Sequence, residues 1–407
     1  MSRNPDAVAP PAFGNTVACL AAAQLLAWGA LYYTFSAFVL PMRDTLGWSK
    51  SAIMGAFTLG LAVWGAASYG AGAAIDRGHG RAVMTGGTVL AGLGFGVWSQ
   101  AGRIELLYVA WALLGMAMAM CLYEPAFSVV TRRFPTRYGS AITWLTLVGG
   151  FASTLSFPVT LWLIGAFGWR PALAVIGAVL LAVAAPLNAW ALRGSDPPRP
   201  PRAADVADDA TLHEALRHSA FWLLAATFML YSVVSATFWA HVMPAFASKG
   251  TSQGDALAVL MWIGPSQVIG RLVFLGAGKR WSARTLGLVV FAAMPLSLLL
   301  FALAGGLWVL LVFAVLFGAA NGLVTIVRGH VVPTYFGHAH VGRISGVLSV
   351  LSLVPRAVGP IAGAWMLLVV PGYRELLLML AALAGLAWGA FVWAGAPSRR
   401  AAVTGPA

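Results

Sequence analysis

Long apolar stretches follow one another along almost the whole chain, and they constrain its fold more than any other feature. Residues 286–304, for example, contain no charged side chain. Only 9% of the 407 residues are charged, whereas soluble domains carry roughly 25%, so lipid must surround most of the surface. Backbone polar groups in hydrocarbon must be paired internally, and stretches without polar–apolar alternation favour helices over a barrel. The sequence therefore predicts an all-α integral membrane protein.

The apolar stretches divide into twelve predicted transmembrane helices of roughly 20 residues each, the length that crosses a bilayer. Their predicted bounds are 16–40, 51–75, 82–101, 106–130, 140–166, 171–192, 220–247, 255–276, 285–304, 307–331, 344–370 and 376–394. Between helices 6 and 7 lies a long polar stretch that is rich first in proline and then in aspartate. The predicted organisation is an N-terminal tail (1–15), a six-helix bundle (16–192), a linker (193–219), a second six-helix bundle (220–394) and a C-terminal tail (395–407).

The net charge of +13 would indicate nucleic-acid binding in a soluble protein, but here the cations lie mainly in short loops. Lys and Arg residues number sixteen in the loops on one side and six in those on the other. Cytoplasmic loops carry the excess of Lys and Arg, so both tails and the linker are expected in the cytoplasm, without a nucleic-acid partner. The sequence contains no nucleotide-binding glycine-rich loop and no metal-ligand spacing, so no cofactor is expected.

The two halves of the chain repeat one pattern. Pro158 precedes a Gly-Trp-Arg segment at 168–170 at the end of helix 5, and Pro360 precedes Gly-Tyr-Arg at 372–374 at the end of helix 11. Related six-helix bundles that meet at a central cavity are typical of secondary transporters. A membrane-embedded enzyme would need clustered nucleophiles, metal ligands or paired acids, which the helices lack. The pattern favours a transporter over an enzyme.

The turn after helix 2 carries Gly72 and, four residues later, Asp76-Arg77, with Gly80-Arg81 following one residue late. It resembles the Gly-x-x-x-Asp-Arg-x-Gly-Arg motif of the major facilitator superfamily, whose fold is twelve helices in two pseudo-symmetric six-helix bundles. The resemblance implies that Asp76, Arg77 and Arg81 form the inner gate through charge pairs and helix ends. Glycine in such a turn allows two helices to approach closely.

Further residues are similar to bacterial members of the monocarboxylate porter group and their oxalate/formate exchanger relatives. The Gly-Trp-Ser segment at 47–49 and the basic segment 133–139 follow their pattern, which implies a bacterial cytoplasmic (inner) membrane and an anionic substrate. The exchangers carry one cation on helix 8 and another on helix 11, an arrangement that Arg271 and Arg356 reproduce. Monocarboxylate porters carry an Asp four residues before the helix-8 Arg. This chain has Gln267 there, which argues against proton coupling through helix 8.

Charges inside a bilayer are costly and usually mark a transport pathway. Arg356 lies about twelve residues, or roughly 18 Å, from either end of its helix, and the flanking Pro355 and Pro360 predict a break there. Its guanidinium could bind a substrate carboxylate through two hydrogen bonds; alternatively, it caps the carbonyls of the broken helix. Arg271 shares a helix face with Gln267 and is predicted to bind substrate or to gate, with a structural pairing as the alternative.

Glu124 is the acid that the sequence places deepest in the membrane. It precedes Pro125, whose ring leaves the Cys121 carbonyl unpaired and predicts a bend in helix 4. Burial and nearby arginines have opposite effects on its protonation, so Glu124 is a candidate proton acceptor; the alternative is a fixed ion pair. With Glu124 ionised, Arg271 and Arg356 leave a net charge of about +1, suited to a monoanion, and with Glu124 protonated about +2.

Other polar residues give weaker signals. Arg328 lies five residues before Pro333 and is expected to extend to the cytoplasmic surface, with a cavity-lining role as the alternative. Tyr32 in helix 1 and Asn321 in helix 10 are the preferred cavity-lining hydroxyl and amide, with packing roles as the alternative. The predicted site thus comprises Arg356, Arg271, Tyr32, Asn321 and Gln267 for substrate binding, Glu124 for proton coupling, and Asp76, Arg77 and Arg81 for gating.

Together these features predict a secondary active transporter that works by alternating access, as a monomer in the lipid bilayer. Its predicted substrate is a small organic anion, a mono- or dicarboxylate, moved with protons or by exchange. The alternative is an exporter of drug-like or metalloid solutes on the same fold, because fold does not fix substrate. Two buried arginines argue against cationic drugs, and two cysteines are few for thiol-seeking metalloids.

Overall fold

The structure, a computed structural model, describes residues 12–194, 209–277 and 281–395. Within these ranges the chain forms helices joined by short turns, and eleven helical stretches are long and apolar enough to cross a membrane. The longest, Ser51–Ser99, has 49 residues, about 74 Å at 1.5 Å per residue, twice what a bilayer needs. It contains two crossings joined by a tight turn at Gly78, whose φ is 92°. The predicted twelve-helix membrane fold is confirmed.

The first half contains helices 1 to 6, several of them built from consecutive segments. Helix 1 comprises Phe13–Trp28, the π-helical Gly29–Tyr33 and Phe35–Leu46; helix 2 is Lys50–Ala74, followed by the π-helical turn Ile75–His79; helix 3 is Gly80–Ser99; helix 4 comprises Ile104–Cys121 and Tyr123–Arg133; helix 5 comprises Tyr138–Gly150 and Ala152–Phe167; and helix 6 comprises Trp169–Val179, the π-helical Leu180–Ala184 and Ala185–Ala191.

The second half begins with a short helix, Leu212–Arg217, in front of helices 7 to 12. Helix 7 is Ser219–Ser248; helix 8 comprises Gln253–Met261 and Ile263–Ala277; helix 9 is Ala283–Leu303; helix 10 is Leu307–Phe336; helix 11 is Val341–Val369; and helix 12 is Tyr373–Trp393. The predicted tails and most of the predicted linker, residues 1–11, 195–208 and 396–407, lie outside the described residues. The predicted domain bounds stay predictions.

Both ends of the described chain lie on one side of the molecule, which we name the terminal side. Phe13, at the start of helix 1, packs against Phe134 at the end of helix 4, with ring centroids 5.0 Å apart. Gly395, after helix 12, accepts a hydrogen bond from the Tyr335 hydroxyl at the end of helix 10. The other face is the opposite side.

Apolar packing shows where the two halves meet. Among the described residues, one cluster of buried side chains contains only first-half residues, such as Phe38, and another only second-half residues, such as Phe301. A third cluster contains residues of both halves, including Ile75 and Ile344 near the terminal side. The halves therefore share a core on the terminal side and have separate cores on the opposite side. Helix 2 packs on helix 11 and helix 5 on helix 8 across this boundary.

Two proline sites differ in their effect. Helix 4 is interrupted before Pro125, because Leu122 is extended (φ −81°, ψ −158°), and the buried Gln24 amide donates to the Cys121 carbonyl at 2.7 Å. Helix 11 instead runs unbroken through both of its prolines, so the break predicted beside Arg356 is absent. Since a proline removes only one intrahelical bond, packing on helix 7 can keep such a helix continuous.

Candidate functional site

A cavity between the halves lies near the middle of the membrane-spanning region, where helices 2, 4, 10 and 11 meet. Its enclosed part has room for about one water molecule, and its volume is about 280 Å³ only when the open space at its mouth is included. The lining side chains come from both halves: Trp64, Gly65, Ser68, Glu124, Arg328, Ser349, Ser352, Leu353 and Arg356. Apolar walls with a few convergent charged groups are the usual form of a small-molecule site.

Glu124 and Arg328 form an ion pair across the two halves, with Glu124 Oε1 and Arg328 Nη2 3.7 Å apart. Ser349 links them, because its hydroxyl accepts from Arg328 Nη2 at 3.0 Å and lies 3.5 Å from Glu124 Oε1 as a donor. Glu124 lies in the first turn of the segment Tyr123–Arg133, where the helix dipole favours a carboxylate. Its other oxygen, Oε2, is buried without a hydrogen-bond partner in the described part of the chain.

Arg328 occupies the cavity-lining position that the sequence analysis gave only as the alternative. We expected its side chain to extend to the surface, yet it lines the cavity and pairs with Glu124. The signal that could have identified it is the rarity of charge inside a membrane helix, since only four charged residues lay well inside the predicted helices.

Arg356 also lines the cavity and is half-buried. Its guanidinium has no hydrogen-bond or ion-pair partner among residues 12–194, 209–277 and 281–395. Two backbone carbonyls at Pro360 are instead bound by side chains of helix 7. The Thr237 hydroxyl donates to the Gly359 carbonyl at 2.6 Å, and His241 Nε2 lies 3.1 Å from the Pro360 carbonyl oxygen. Because the guanidinium donates to no helix carbonyl within the described ranges, the cation is available to a ligand and the capping alternative has no support.

Arg271 has a different environment, being only 4% exposed. Its Nε donates to the Gly322 carbonyl of helix 10 at 3.2 Å, and a Cβ built on Gly150 of helix 5 would overlap its guanidinium. Tyr33 and Tyr123 of the first half lie near its guanidinium. Arg271 therefore lies in the closed contact between helices 5 and 8, away from the open cavity surface.

The remaining predicted substrate-binding residues are Asn321, Gln267 and Tyr32, and their surroundings differ. The Tyr231 hydroxyl donates to Asn321 Oδ1, and Tyr231 lies near all three arginines, so Asn321 fixes the position of a hydroxyl beside them. Gln267 packs against Gly322, where a Cβ would lie 2.8 Å from the Gln267 backbone. Tyr32, in the π-helical segment, packs between Trp28 and Tyr33, with ring centroids 5.6 Å and 5.3 Å away. Thus Tyr33, rather than Tyr32, is the neighbour of Arg271.

Asp76 links the halves on the terminal side. Its Oδ1 accepts from the Gly342 N–H at 2.9 Å and its Oδ2 from the Arg343 N–H at 2.8 Å, in the first turn of helix 11. Arg132 completes the contact: its Nη1 lies 3.8 Å from Asp76 and donates to the Ala339 carbonyl at 2.7 Å. A Cβ on Gly72 would overlap the Gly342 carbonyl, so the helices touch backbone to backbone.

The two predicted gating arginines lie apart from that contact. Arg77 is exposed, and Arg81 donates from Nε to the Ala189 carbonyl of helix 6, at 3.0 Å within its own half. The arginine that reaches the second half is Arg132, which the sequence analysis did not single out. Its position in the last turn of helix 4 gave no signal beyond the general excess of positive charge.

Comparisons with known proteins agree with this architecture. A family model, the Major Facilitator Superfamily, matches residues 20–284. The chain is 28% identical over 324 residues to Monocarboxylate transporter 11 of Homo sapiens and 27% identical over 288 residues to Monocarboxylate transporter 13 of Rattus norvegicus. These alignments cover 74% and 69% of this chain, and 66% and 64% of the relatives. The chain therefore spans just under two thirds of the length of these curated relatives.

Solved structures share the fold. FucP, a Major Facilitator Superfamily transporter in the outward conformation, has a TM-score of 0.73 at 14% identity, covering 93% of this chain and 98% of that one. The human organic anion transporter MFSD10 (TETRAN) has a TM-score of 0.69 at 15% identity, covering 94% and 100%. Both likenesses are in the fold. Since the family model matches more than half of the chain, the chain belongs to the Major Facilitator Superfamily and is a multi-pass membrane protein.

Proposed function

We propose that this protein is a secondary active transporter of a small organic anion, recognised through a carboxylate group. The observation that carries this proposal is Arg356, whose half-buried guanidinium lines the cavity without a protein partner among the described residues. An uncompensated cation inside a membrane protein is costly, and a bound anion offsets that cost. The planar guanidinium also matches a carboxylate through two parallel hydrogen bonds.

The charges around the cavity favour a monoanion. Glu124 compensates Arg328, and Arg271 is buried between helices 5 and 8, which leaves Arg356 as the accessible positive charge. One free cation suits one carboxylate, so a monocarboxylate is the preferred substrate. The names of the curated relatives, Monocarboxylate transporters 11 and 13, agree with this choice.

Transport follows an alternating-access cycle in which the two halves move about the cavity. The contacts that Asp76 and Arg132 make on the terminal side must separate for the cavity to open there. The excess of Lys and Arg in the loops on that side indicates that the terminal side faces the cytoplasm. We place the protein in the inner membrane of a bacterium, where it works as a monomer. A proton accompanies the anion, with Glu124 as its acceptor.

The test is a thermal-shift screen of the purified protein with monocarboxylates (formate, pyruvate, benzoate) and dicarboxylates (oxalate, malonate). A ligand that binds the folded state raises the melting temperature by mass action. We expect a monocarboxylate to stabilise the wild type and to have no effect on Arg356→Gln. Arg170→Gln is the matched control, because Arg170 bonds the Ser99 and Ala101 carbonyls away from the cavity. It should melt lower and keep the ligand-induced shift.

Carboxylates that stabilise Arg356→Gln as strongly as the wild type would refute the binding role of Arg356. If no carboxylate raises the melting temperature and apolar or metalloid compounds do, the result would support an exporter on the same fold. Uptake of the stabilising carboxylate into proteoliposomes then separates a transporter from a carboxylate sensor.

A further inference from the structure

One face of helix 11 lines the cavity with residues spaced three or four positions apart. Ser349, Ser352, Leu353 and Arg356 all belong to it, since residues at such spacings are neighbours on a helix surface. At 1.5 Å per residue, Leu353 is about 4.5 Å along the helix from Arg356 and about 6 Å from Ser349. Because Ser349 is hydrogen-bonded to the ion pair described above, Leu353 lies between that ion pair and the free cation.

The Leu353 side chain packs against helix 2 at Gly65. A Cβ built on Gly65 would overlap Leu353 Cδ2 and lie 3.1 Å from its Cγ, closer than carbon atoms ordinarily approach. The residue before Gly65, Trp64, also lines the cavity. Trp64 is 7% exposed, and its ring packs on Trp28 with the centroids 6.0 Å apart. Trp64 and Leu353 therefore form an apolar wall beside Arg356, and the absence of a side chain on Gly65 allows Leu353 its position.

The serine hydroxyls of the cavity already donate their protons within the protein. The Ser68 and Ser352 hydroxyls donate to carbonyls four residues earlier in their own helices, at 2.7 Å and 2.8 Å, and the Ser349 hydroxyl donates to Glu124. Arg356 therefore supplies the donors for a ligand carboxylate, and the carbon chain of that ligand lies against the apolar wall. There the fit depends on volume, because a chain that exceeds the available space must displace packed side chains.

The enclosed part of the cavity has room for about one water molecule, so a carboxylate group fills it and a longer chain meets the apolar wall. We infer, resting on the proposed function, that Leu353 packed on Gly65 limits the length of the carbon chain that the site accepts. The substrate is then a monocarboxylate with a chain shorter than that of butyrate. Leu353 is a specificity-determining residue, whereas Arg356 binds the charge that all carboxylates share.

The test is calorimetry of the purified protein with acetate, propionate, butyrate and pentanoate at about pH 7.5, where carboxylic acids are ionised. Wild-type affinity should fall from propionate to pentanoate. In Leu353→Ala, which removes the side chain beyond Cβ, each added methylene should instead tighten the Kd about fourfold, the value for burying one methylene group. Leu353→Val, which shortens the side chain by a single methylene, should give the same change over a shorter range of acids and disturbs packing less.

Gly65→Ala should have the opposite effect, because its Cβ displaces Leu353 into the cavity. It should weaken binding of propionate more than binding of acetate, and combining it with Leu353→Ala should restore propionate binding. Leu298→Ala is the matched control, since Leu298 is fully buried in the apolar cluster of the second half. This control should melt lower and keep the wild-type order of the four acids. A shift between open and closed states changes all four affinities by one factor, so the order of the acids reports the wall.

The outcomes separate this inference from the proposed function. If Leu353→Ala and the wild type show the same order of affinities, and Arg356→Gln binds no acid, the length limit is refuted and the proposed function stands. Wild-type affinity that increases through to pentanoate would also overturn the limit. If no acid binds the wild type, Leu353→Ala or Leu353→Val, the proposed function fails and the inference fails with it.

Discussion

Replacing Asp76 by asparagine should shift the protein toward the state that is open on the terminal side. The Asp76 carboxylate accepts the N–H groups of Gly342 and Arg343 at 2.9 Å and 2.8 Å, and its side chain is only 2% exposed. Asparagine has the same shape and one acceptor oxygen, so its NH₂ group must face one of the two N–H donors. The ion pair with Arg132 is lost as well.

The size of the effect follows from these contacts. Hydrogen bonds to a charged group contribute about 1.5–3 kcal/mol each, and a neutral bond about 0.5–1.5 kcal/mol. Losing one charged bond and weakening the other therefore costs the closed state about 2–4 kcal/mol. Since these bonds join the two halves, the open state does not share the loss. Even about 2 kcal/mol changes the equilibrium between the two states about thirtyfold.

Nitroxide labels attached to His79→Cys and His213→Cys measure this shift in the purified protein, because both residues are exposed and belong to different halves. The distance between the labels reports how far the halves separate on the terminal side, and Cys19 is replaced by serine so that it is not labelled. Asp209→Asn is the matched control, because Asp209 accepts the N–H groups of His338 and Ala339 at 2.8 Å and 3.2 Å within the second half. It should lower the melting temperature and leave the label distances unchanged. Equal distance distributions for Asp76→Asn and the wild type, or equal shifts in both variants, would refute the assignment of Asp76 to closure.

Two further predictions concern stability. Gln24→Leu should lower the free energy of unfolding by about 1–3 kcal/mol, because it leaves the buried Cys121 carbonyl at the helix-4 break unpaired; a melting temperature within error of the wild type would contradict this. In the loop between helices 10 and 11, burial lowers the pKa of the His338 imidazole, with Asp209 opposing this more weakly. The neutral form is thus favoured in the folded state, so stability is lost as the pH falls below the ordinary imidazole value of about 6.5. His338→Phe should flatten this part of the melting-temperature profile, and an unchanged profile would assign it to other groups.

Predictions that rest on the composition of long segments agree with the structure. Twelve apolar stretches give the membrane crossings, because charge content and length alone decide which segments can lie in lipid. The proline of helix 4 also acts as expected, since Pro125 cannot pair the Cys121 carbonyl and Gln24 supplies the missing donor. Both results follow from backbone chemistry that neighbouring helices do not change.

Predictions that rest on the direction of one side chain were less reliable. Arg328 was expected at the cytoplasmic surface because it lies five residues before Pro333, but helix 10 continues through Pro333 to Phe336. The arginine is therefore about 12 Å from the helix end, where it pairs with Glu124 across the cavity. Tyr32 and Tyr33 lie in a π-helical segment, whose wider turn rotates side chains relative to an α-helix. A sequence pattern does not give that rotation.

The extra residue in the turn after helix 2 explains why Arg81 is separate from the gate. Gly78 adopts φ 92°, a left-handed conformation that glycine accepts without strain, and His79 follows before helix 3 begins. Arg81 thereby enters the first turn of helix 3, where it bonds the Ala189 carbonyl. Arg132 of helix 4 provides the cation beside Asp76 instead. The motif thus identified the carboxylate but not its partner, because the partner comes from a different helix.

Arg271 and Arg356, which the sequence placed on helices 8 and 11 as a pair of substrate-binding cations, occupy different environments in the structure. Arg356 lines the cavity between helices 2, 4, 10 and 11, whereas Arg271 is enclosed between helices 8 and 5 at Gly150. The absence of a side chain on Gly150 is what allows that enclosure. Helices 2 and 5 belong to the first half, and helices 8 and 11 belong to the second. If each half moves as a rigid body, the contact between helices 5 and 8 and the contact between helices 2 and 11 change together. In our proposal Arg356 therefore receives the anion in the state described here, and Arg271 becomes accessible only as the cavity opens to the terminal side.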